Sequence, residues 1–172
     1  MIIRKTVPSD FSRVSAIYAD ARRRMRESGN PTQWGFVWPP EDMIREDCSP
    51  EGHGYAVVDD AGRICGVFAF YIGEDETYRV IENGAWLNDE PYGAIHRIAS
   101  DGVTRGILRA AAAWCAQFVP NIRIDTHADN AAMQAALAAN GFSRCGIIHV
   151  FAGGVRTDIS SARVAFQKVC RK

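Results

Sequence analysis

The chain has 172 residues, of which 47% are hydrophobic and 23% charged, an ordinary globular composition that predicts one folded domain over residues 1–172. Twenty Lys and Arg residues balance twenty Asp and Glu residues, so the formal net charge is zero. This balance lacks the basic bias typical of nucleic-acid and anionic-membrane binders, so we expect neither kind of partner.

The cysteines and the N-terminal segment indicate the compartment. Five Cys residues, an odd number without a Cys-x-x-Cys pair, predict reduced thiols rather than disulfides or a zinc site. The N-terminal segment MIIRKTVPSD has no long apolar run, and no other segment approaches the length of a membrane span. We therefore expect a cytoplasmic protein with no metal.

The first elements are predicted to be a strand and a helix. MIIRKT has the pattern of a short strand, and Ser9 or Asp10 would cap a helix whose apolar residues recur at helical spacing up to Met25. That helix ends in the arginine-rich segment RRRMRESGN. These arginines could form a nucleic-acid patch, but the helix dipole also favours cations near a helix C-terminus, and the zero net charge favours this second interpretation.

An irregular segment follows the first helix. NPTQWGFVWPP contains Trp34 and Trp38 among prolines and a glycine. Tryptophan in such a segment either packs a loop onto the core or walls a substrate pocket, and the sequence leaves both alternatives open. A short helix is predicted after it, at Glu41–Asp47.

A β-hairpin is predicted next, with strands Tyr55–Val58 and Ile64–Ile72 around the turn DDAG. The second strand is apolar on both faces, which is typical of the middle of a covered sheet. A further strand is predicted at Tyr78–Ile81.

The second half of the chain alternates strands and helices. The strand AIHRIAS leads through the loop DGVTRG into an alanine-rich helix that Pro120 stops. IRIDTH is predicted as the next strand, and a helix from Asn130 to Asn140 ends at Gly141. RCGIIHVF and ARVAFQKV are predicted as two strands joined by AGGVRTDISS. The buried stripe of the alanine-rich helix is predicted to comprise Ile107, Ala111, Trp114, Cys115 and Phe118.

The turn after Ser100 has the properties of an anion site. Backbone N–H groups at a helix start lack partners within the helix, and the dipole there favours negative charge. Arg105 would add a charge-assisted hydrogen bond, and Gly106 would let the backbone approach the anion closely. An ordinary strand-to-helix turn remains the alternative.

This order of elements resembles the GNAT superfamily of acyl-CoA-dependent N-acyltransferases, most closely from about Tyr92 to Val150. The family's loop carries a Gln/Arg-x-x-Gly-x-Gly/Ala pattern, onto which Arg105, Leu108 and Ala110 fall, with Leu108 in place of the middle glycine. IRIDTHADN…GF is similar to the family's fifth strand, its following asparagine and the pair that opens its sixth strand. Asn130 holds the asparagine position, which also suits a helix N-cap.

The resemblance implies a mixed α/β (α+β) fold with a mostly antiparallel sheet of about six to seven strands. The sheet would be splayed between strands 4 and 5 and flanked by about four helices. Acetyl-CoA would be the cosubstrate, with its pyrophosphate at the loop. The residues implied to bind it are Ile98, Ala99, Ser100, Arg105, Gly106, Ile107, Leu108, Ala110, Asn130 and Met133.

The implied reaction is direct attack of a primary amine on the thioester, without a covalent acyl-enzyme. An amine has a pKa of about 10, so the site must remove a proton from it and protonate the leaving thiolate. The tyrosine that many family members use as this acid falls on Leu137. His96, which shares strand parity with Ile98 and Ser100, and His127 are the candidate replacements, each with a structural role equally open. Glu82 is a candidate base through water, or a solvated loop carboxylate.

The remaining expectations concern the oxyanion and the acceptor. A backbone N–H of Ile98 or Ala99 would stabilise the oxyanion. Trp34, Trp38 and Trp86 would wall a pocket for a small-molecule or peptide amine. A homodimer would be in keeping with the family. The alternative function is a non-catalytic acyl-CoA-binding or partner-binding module on the same fold.

Overall fold

The computed structural model describes residues 1–150 and 161–170, which form a sheet flanked by helices. Its four helices are α1 Phe11–Glu27, α2 Glu41–Asp47, α3 Ile107–Cys115 and α4 Ala131–Ala139. Its seven strands are β1 Ile2–Lys5, β2 Gly54–Val58, β3 Ile64–Ile72, β4 Tyr92–Ser100, β5 Asn121–Thr126, β6 Ser143–His149 and β7 Ala162–Val169.

The strands form one sheet in the order β1-β2-β3-β4-β5-β7-β6. Every neighbouring pair is antiparallel except β4 and β5, which are parallel. A mostly antiparallel mixed sheet with flanking helices is the fold class that the resemblance implies, and the structure confirms it.

The sheet opens between its two parallel strands. They pair only where Tyr92–Ala94 faces Asn121–Arg123. Beyond these residues β4 continues to Ser100 and β5 to Thr126, but the two strands no longer pair with each other. The gap that results lies at the C-terminal ends of both strands and positions the candidate site.

Apolar side chains cover both faces of the sheet. Alternate residues of a strand point to opposite faces, so Phe68 packs with α3 and α4 on one side, and Val67 packs with α1 and α2 on the other. The five cysteines are free, and all but Cys170 are buried. Helix α2 and the β2–β3 hairpin lie where their local patterns predict them.

The predicted strand at Tyr78–Ile81 is wrong. Residues Glu76–Tyr78 form a 3₁₀ turn, which begins where the Asp75 carboxylate accepts the backbone N–H of Thr77. An aspartate that binds the backbone two residues ahead stabilises a turn in place of a strand. The only β-type pairing described in this segment is a single bridge between Glu82 and Ile147.

Helix α1 starts differently from the prediction. A 3₁₀ turn at Pro8–Asp10 precedes it, and the Asp10 carboxylate accepts the N–H of Val7 and pairs with Arg4 at 2.6 Å, instead of capping α1. In α3 the predicted buried stripe is only partly right. Trp114 is half-buried and Phe118 is exposed, because the helix already ends at Cys115.

The arginines at the end of α1 have partners within the protein. Arg23 and Arg24 both pair with Asp20, and Arg24 also donates to the backbone carbonyl of Ser100. Arg22 and Arg26 donate to backbone carbonyls of the segment after the helix. These contacts tie α1 to the sheet and to the tryptophan-containing segment.

Two remaining expectations concern the last strands and membrane spans. The segment AGGVRTDISS and the Phe151 end of the strand predicted before it lie largely outside the described residues, whereas the strand at Ala162–Val169 is present. None of the helices in residues 1–150 and 161–170 has the length and apolar character needed to span a membrane.

Candidate active site

A cavity of about 170 Å³ lies where β4 and β5 separate. Its walls come from both strands, from the start of α4 and from the segment after α1. The lining residues are Met25, Gln33, Trp34, Trp38, Ile95, His96, Arg97, Ile98, Ile124, Asp125, Thr126, Asn130, Met133, Val150 and Arg163.

A β-bulge in β4 shapes this cavity. The register with β3 shifts between Val67 and Ala69, and Arg97 has a left-handed backbone with φ +52°. A bulge inserts one extra residue and reverses the alternation beyond it. The expected shared parity of His96 with Ile98 and Ser100 is therefore wrong.

Backbone hydrogen bonds show which N–H groups face the opening. The N–H of Asp101 donates to Cys65 of β3 at 2.9 Å, so by alternation Ala99 also directs its N–H toward β3. The N–H of Ile98 then points toward the open edge, as does the carbonyl of Ser100, which Arg24 binds. Of the two predicted oxyanion donors, Ile98 is the one with suitable orientation.

His96 is paired with a carboxylate inside the site. Its Nε2 lies 2.8 Å from Asp75 Oδ2, and its ring packs between Tyr71 and Tyr78. Burial would raise the pKa of Asp75, but hydrogen bonds from His96 and Thr77 outweigh it and lower that pKa. An ionised Asp75 accepts the Nε2–H of His96, which leaves Nδ1 as the acceptor nitrogen of the neutral ring.

The structure separates the other two catalytic candidates from the cavity. His127 is buried and outside the cavity lining, and its Nδ1 accepts the N–H of Asp129 at 3.3 Å, a structural contact that caps the turn after β5. Glu82 is exposed, and its carboxylate lies 3.5 Å from Nε2 of His149, the last residue of β6. Neither side chain approaches His96 in a shared site.

Of the three tryptophans predicted to wall the acceptor pocket, two line the cavity and one does not. Trp34 and Trp38 both line the cavity, and buried Trp34 also packs edge-on against Tyr18 of α1, so it serves the core and the wall together. Trp86 lies elsewhere, stacked 4.0 Å from the guanidinium of Arg123. It lines a separate surface hollow near the start of β4, so it does not join the other two.

The turn before α3 keeps the features of an anion site. Gly102 and Gly106 have φ of +81° and +83°, conformations that favour glycine. Exposed Arg105 lies between them, and the N–H groups of Ile107 and Leu108 have no hydrogen-bond partner in the described part of the chain. Ala110 is already within the helix, donating its N–H to Gly106.

Leu108 and Leu137, the two departures from the family pattern, are core residues. Leu108 is buried in the first turn of α3, and Leu137 of α4 has no exposed surface. Both belong to the cluster between these helices and the sheet. The Leu108 side chain therefore points away from the turn, and its backbone remains at the surface of the helix start.

Asn130 joins α4 to a polar network that the sequence did not predict. Its Oδ1 caps the helix by accepting the N–H of Met133 at 3.1 Å, and its Nδ2 donates to Gln33 Oε1 at 2.9 Å. The same oxygen accepts Asn30 Nδ2 at 2.8 Å. Gln33 precedes Trp34 directly, so this network fixes the tryptophan wall against β5 and α4.

A second unpredicted feature is a buried ion pair on the cavity floor. Arg97 Nη2 lies 2.9 Å from Asp47 Oδ1, and both side chains are about nine-tenths buried. The same nitrogen donates to the Tyr71 hydroxyl at 2.9 Å. The sequence carries no spacing signal for this pair, because Asp47 and Arg97 lie 50 residues apart. No cluster of three metal-ligating side chains occurs in residues 1–150 and 161–170.

The fold has known counterparts. An acetyltransferase from Streptococcus agalactiae, of the GNAT family, matches 99% of this chain and 96% of its own with a TM-score of 0.80 and 27% identity. A ribosomal-protein-alanine N-acetyltransferase from Brucella melitensis matches 98% and 99% with a TM-score of 0.63 and 16% identity. A phosphinothricin acetyltransferase from Sinorhizobium meliloti, solved with AcCoA, matches 98% and 88% with a TM-score of 0.62 and 15% identity.

Sequence comparison leads to the same family. No curated protein matches this chain in sequence. The family model of the acetyltransferase (GNAT) domain matches residues 1–143, which is most of the chain. Together with the open sheet and its cavity, this match shows that the chain belongs to the GNAT acetyltransferase family.

Proposed function

We propose that the protein transfers the acetyl group of acetyl-CoA to the primary amine of a small-molecule or peptide acceptor by direct attack. The observation that carries the proposal is the cavity between β4 and β5, which holds a carboxylate-paired histidine. The turn that follows β4 has the features expected of an anion site. A solved protein of this fold, the phosphinothricin acetyltransferase, contains AcCoA.

The turn before α3 fits the pyrophosphate of CoA. Exposed Arg105 would supply one charge-assisted hydrogen bond, and the N–H groups of Ile107 and Leu108 would supply others. Because the Leu108 side chain is buried, it leaves the approach to these donors open. Asn130 and Met133, which line the cavity from α4, would contact the arm that leads from the pyrophosphate to the thioester.

His96 would move the proton in this reaction. With Nε2–H donated to Asp75, Nδ1 has no hydrogen-bond partner within residues 1–150 and 161–170 and would accept a proton from the attacking amine, directly or through water. The same proton is then available to the sulfur of CoA as the C–S bond breaks and the C–N bond forms. His96 would thus replace the tyrosine that Leu137 does not supply.

The remaining charge to stabilise is on the thioester oxygen. Attack by the amine places negative charge there, and the outward-facing N–H of Ile98 would donate to it. Asp75 acts one step away, as a positioning residue that sets the ring orientation and tautomer of His96.

The test is thiol release from acetyl-CoA with a panel of amines. His96→Gln should lower kcat by roughly 10²–10⁴-fold while acetyl-CoA still raises the unfolding midpoint. His127→Gln, a substitution outside the cavity, is the matched control and should keep kcat close to the wild-type value. Unchanged kcat in His96→Gln would remove His96 from the mechanism.

The non-catalytic alternative rests on Leu137, which fills the usual tyrosine position with a core residue. It predicts that acetyl-CoA raises the unfolding midpoint but that no amine in the panel releases thiol. The same two measurements therefore separate the two functions.

A further inference from the structure

Arg97 has an unused pair of donors at the cavity. Its Nε and Nη2 atoms bind Asp47, and Nη2 also binds Tyr71. Nη1 has no hydrogen-bond partner within residues 1–150 and 161–170, and it is not among the fully buried unpartnered atoms. Arg97 lines the cavity, so its two Nη1 N–H groups would be the donors offered to a ligand there.

The backbone of Arg97 is held in an uncommon conformation. A φ of +52° is unfavourable for a residue with a long side chain, and the bulge in β4 imposes it. Asp47 and Tyr71, which are not among the described lining residues, then fix the guanidinium. The result is a pre-oriented cation one residue away from the proposed oxyanion donor Ile98.

The guanidinium groups on the cavity wall could serve an anion, although Arg97 is paired with Asp47 and Arg163 lies near Asp125. Among the described residues 1–150 and 161–170, two of the lining side chains, Arg97 and Arg163, are cationic, and Asp125 is the one lining carboxylate. Asp125 already accepts a hydrogen bond from Tyr78 at 2.8 Å and lies 3.9 Å from Arg163. The carboxylate of Asp75 is likewise engaged by His96.

We propose that the acceptor is a small amino acid whose carboxylate binds Arg97 Nη1 and whose amine lies between His96 and Ile98. This inference rests on the proposed acetyl transfer and names its substrate class. Trp34 and Trp38 would contact an apolar side chain of the acceptor. The cavity volume of about 170 Å³ is comparable to cavities of roughly 150 Å³ that hold a benzene ring, which suits one such side chain.

The experiment compares each of the twenty standard amino acids with its carboxamide in the thiol-release assay. A neighbouring carboxylate raises the pKa of an ammonium, so the amide has the more available amine and would react faster without recognition. We expect the wild-type enzyme to prefer at least one apolar amino acid over its amide by tenfold or more in kcat/KM, mainly through KM.

The matched variant replaces both members of the ion pair, Arg97→Gln with Asp47→Asn. Replacing Arg97 alone would leave Asp47 buried and unpaired, and the protein could fail to fold. The double variant should lose the preference for the acid and keep its stabilisation by acetyl-CoA. Arg97→Lys, which keeps the charge but not the planar donor pair, should lose part of the preference.

The outcomes distinguish a failure of this inference from a failure of the proposed acetyl transfer. Equal use of acid and amide, release only with amides, or release with neither would overturn the amino-acid acceptor, as would a preference that persists in the double variant. In each case thiol release with another amine of the panel, together with stabilisation by acetyl-CoA, would still support the proposed function. Absence of that stabilisation would contradict the function itself.

Discussion

At the scale of single residues, His127 couples stability to pH. Burial lowers its pKa, Arg163 lowers it further, and Asp129 only partly opposes them. An unfolded histidine has a pKa of about 6.5, so below that pH the unfolded chain binds a proton that the folded chain resists. Stability contributed by His127 is therefore present above pH ~6.5 and is lost as the pH falls toward the lower folded pKa.

We expect His127→Gln to reduce this pH dependence. The decline in the free energy of unfolding between pH 7.5 and about 5 should be shallower than in the wild type, as measured by urea denaturation. His149→Gln is the control, since the His149 side chain is 49% exposed. An identical decline in His127→Gln and the wild type would contradict the attribution of this pH dependence to the lowered pKa of His127.

The two histidines also show what sequence can establish at this scale. His96 lies in the middle of β4 and His127 directly follows β5, and the sequence alone leaves a catalytic and a structural role equally open for both. They are distinguished by partners remote in sequence, because Asp75 pairs with His96 and lies 21 residues earlier. Arg97 and Gln33 were missed for the same reason, since their contacts are made across the fold.

At the scale of elements, the start of α4 depends on one side chain with two functions. Asn130→Ala removes both the cap on Met133 and the bond to Gln33. Loss of an N-cap costs roughly 1 kcal/mol, and the bond to Gln33 adds to that cost. We expect Asn130→Ala to lower the free energy of unfolding by more than the cap alone.

Asn130→Asp is the matched variant. It keeps an oxygen for the cap but has no Nδ2–H for Gln33, so it should retain most of the stability while disturbing the tryptophan wall. Urea denaturation gives the stability, and fluorescence of the tryptophans reports on the wall. Equal stability loss in both variants would mean that the cap contributes little.

Elements with local signals were predictable from the sequence, and those determined by distant contacts were not. The helix after Asn130 carries its own side-chain cap, and both it and the helix Glu41–Asp47 lie where the sequence predicts them. Tyr78–Ile81 has strand-forming residues, but the Asp75 carboxylate stabilises a turn at Glu76–Tyr78, and the Tyr78 hydroxyl donates to Asp125 of β5. The bulge at Arg97 has no local sequence signal, because it is a shift in the pairing between β4 and β3, which are remote in sequence.

At the scale of the whole molecule, the short parallel pairing of β4 and β5 creates the site. Three residue pairs hold the strands together, and their separation beyond that point exposes backbone groups that a closed sheet would pair. The resemblance to the family predicted this opening, whereas composition and periodicity alone indicate only mixed α/β architecture. Leu108 and Leu137 show that departures from a family motif can be absorbed by the core without closing the site.

The central claim, that acetyl-CoA binds at the turn before α3 beside this cavity, is tested most directly by thermal unfolding with and without millimolar acetyl-CoA or CoA. The variants are Arg105→Ala and, as an exposed-arginine control on β6, Arg144→Ala. A ligand that binds only the folded state adds about 2.7 kcal/mol of stability at a hundred times its Kd. We predict a clear rise in the midpoint for the wild type and Arg144→Ala and a smaller one for Arg105→Ala. No rise with either compound in the wild type would contradict the account.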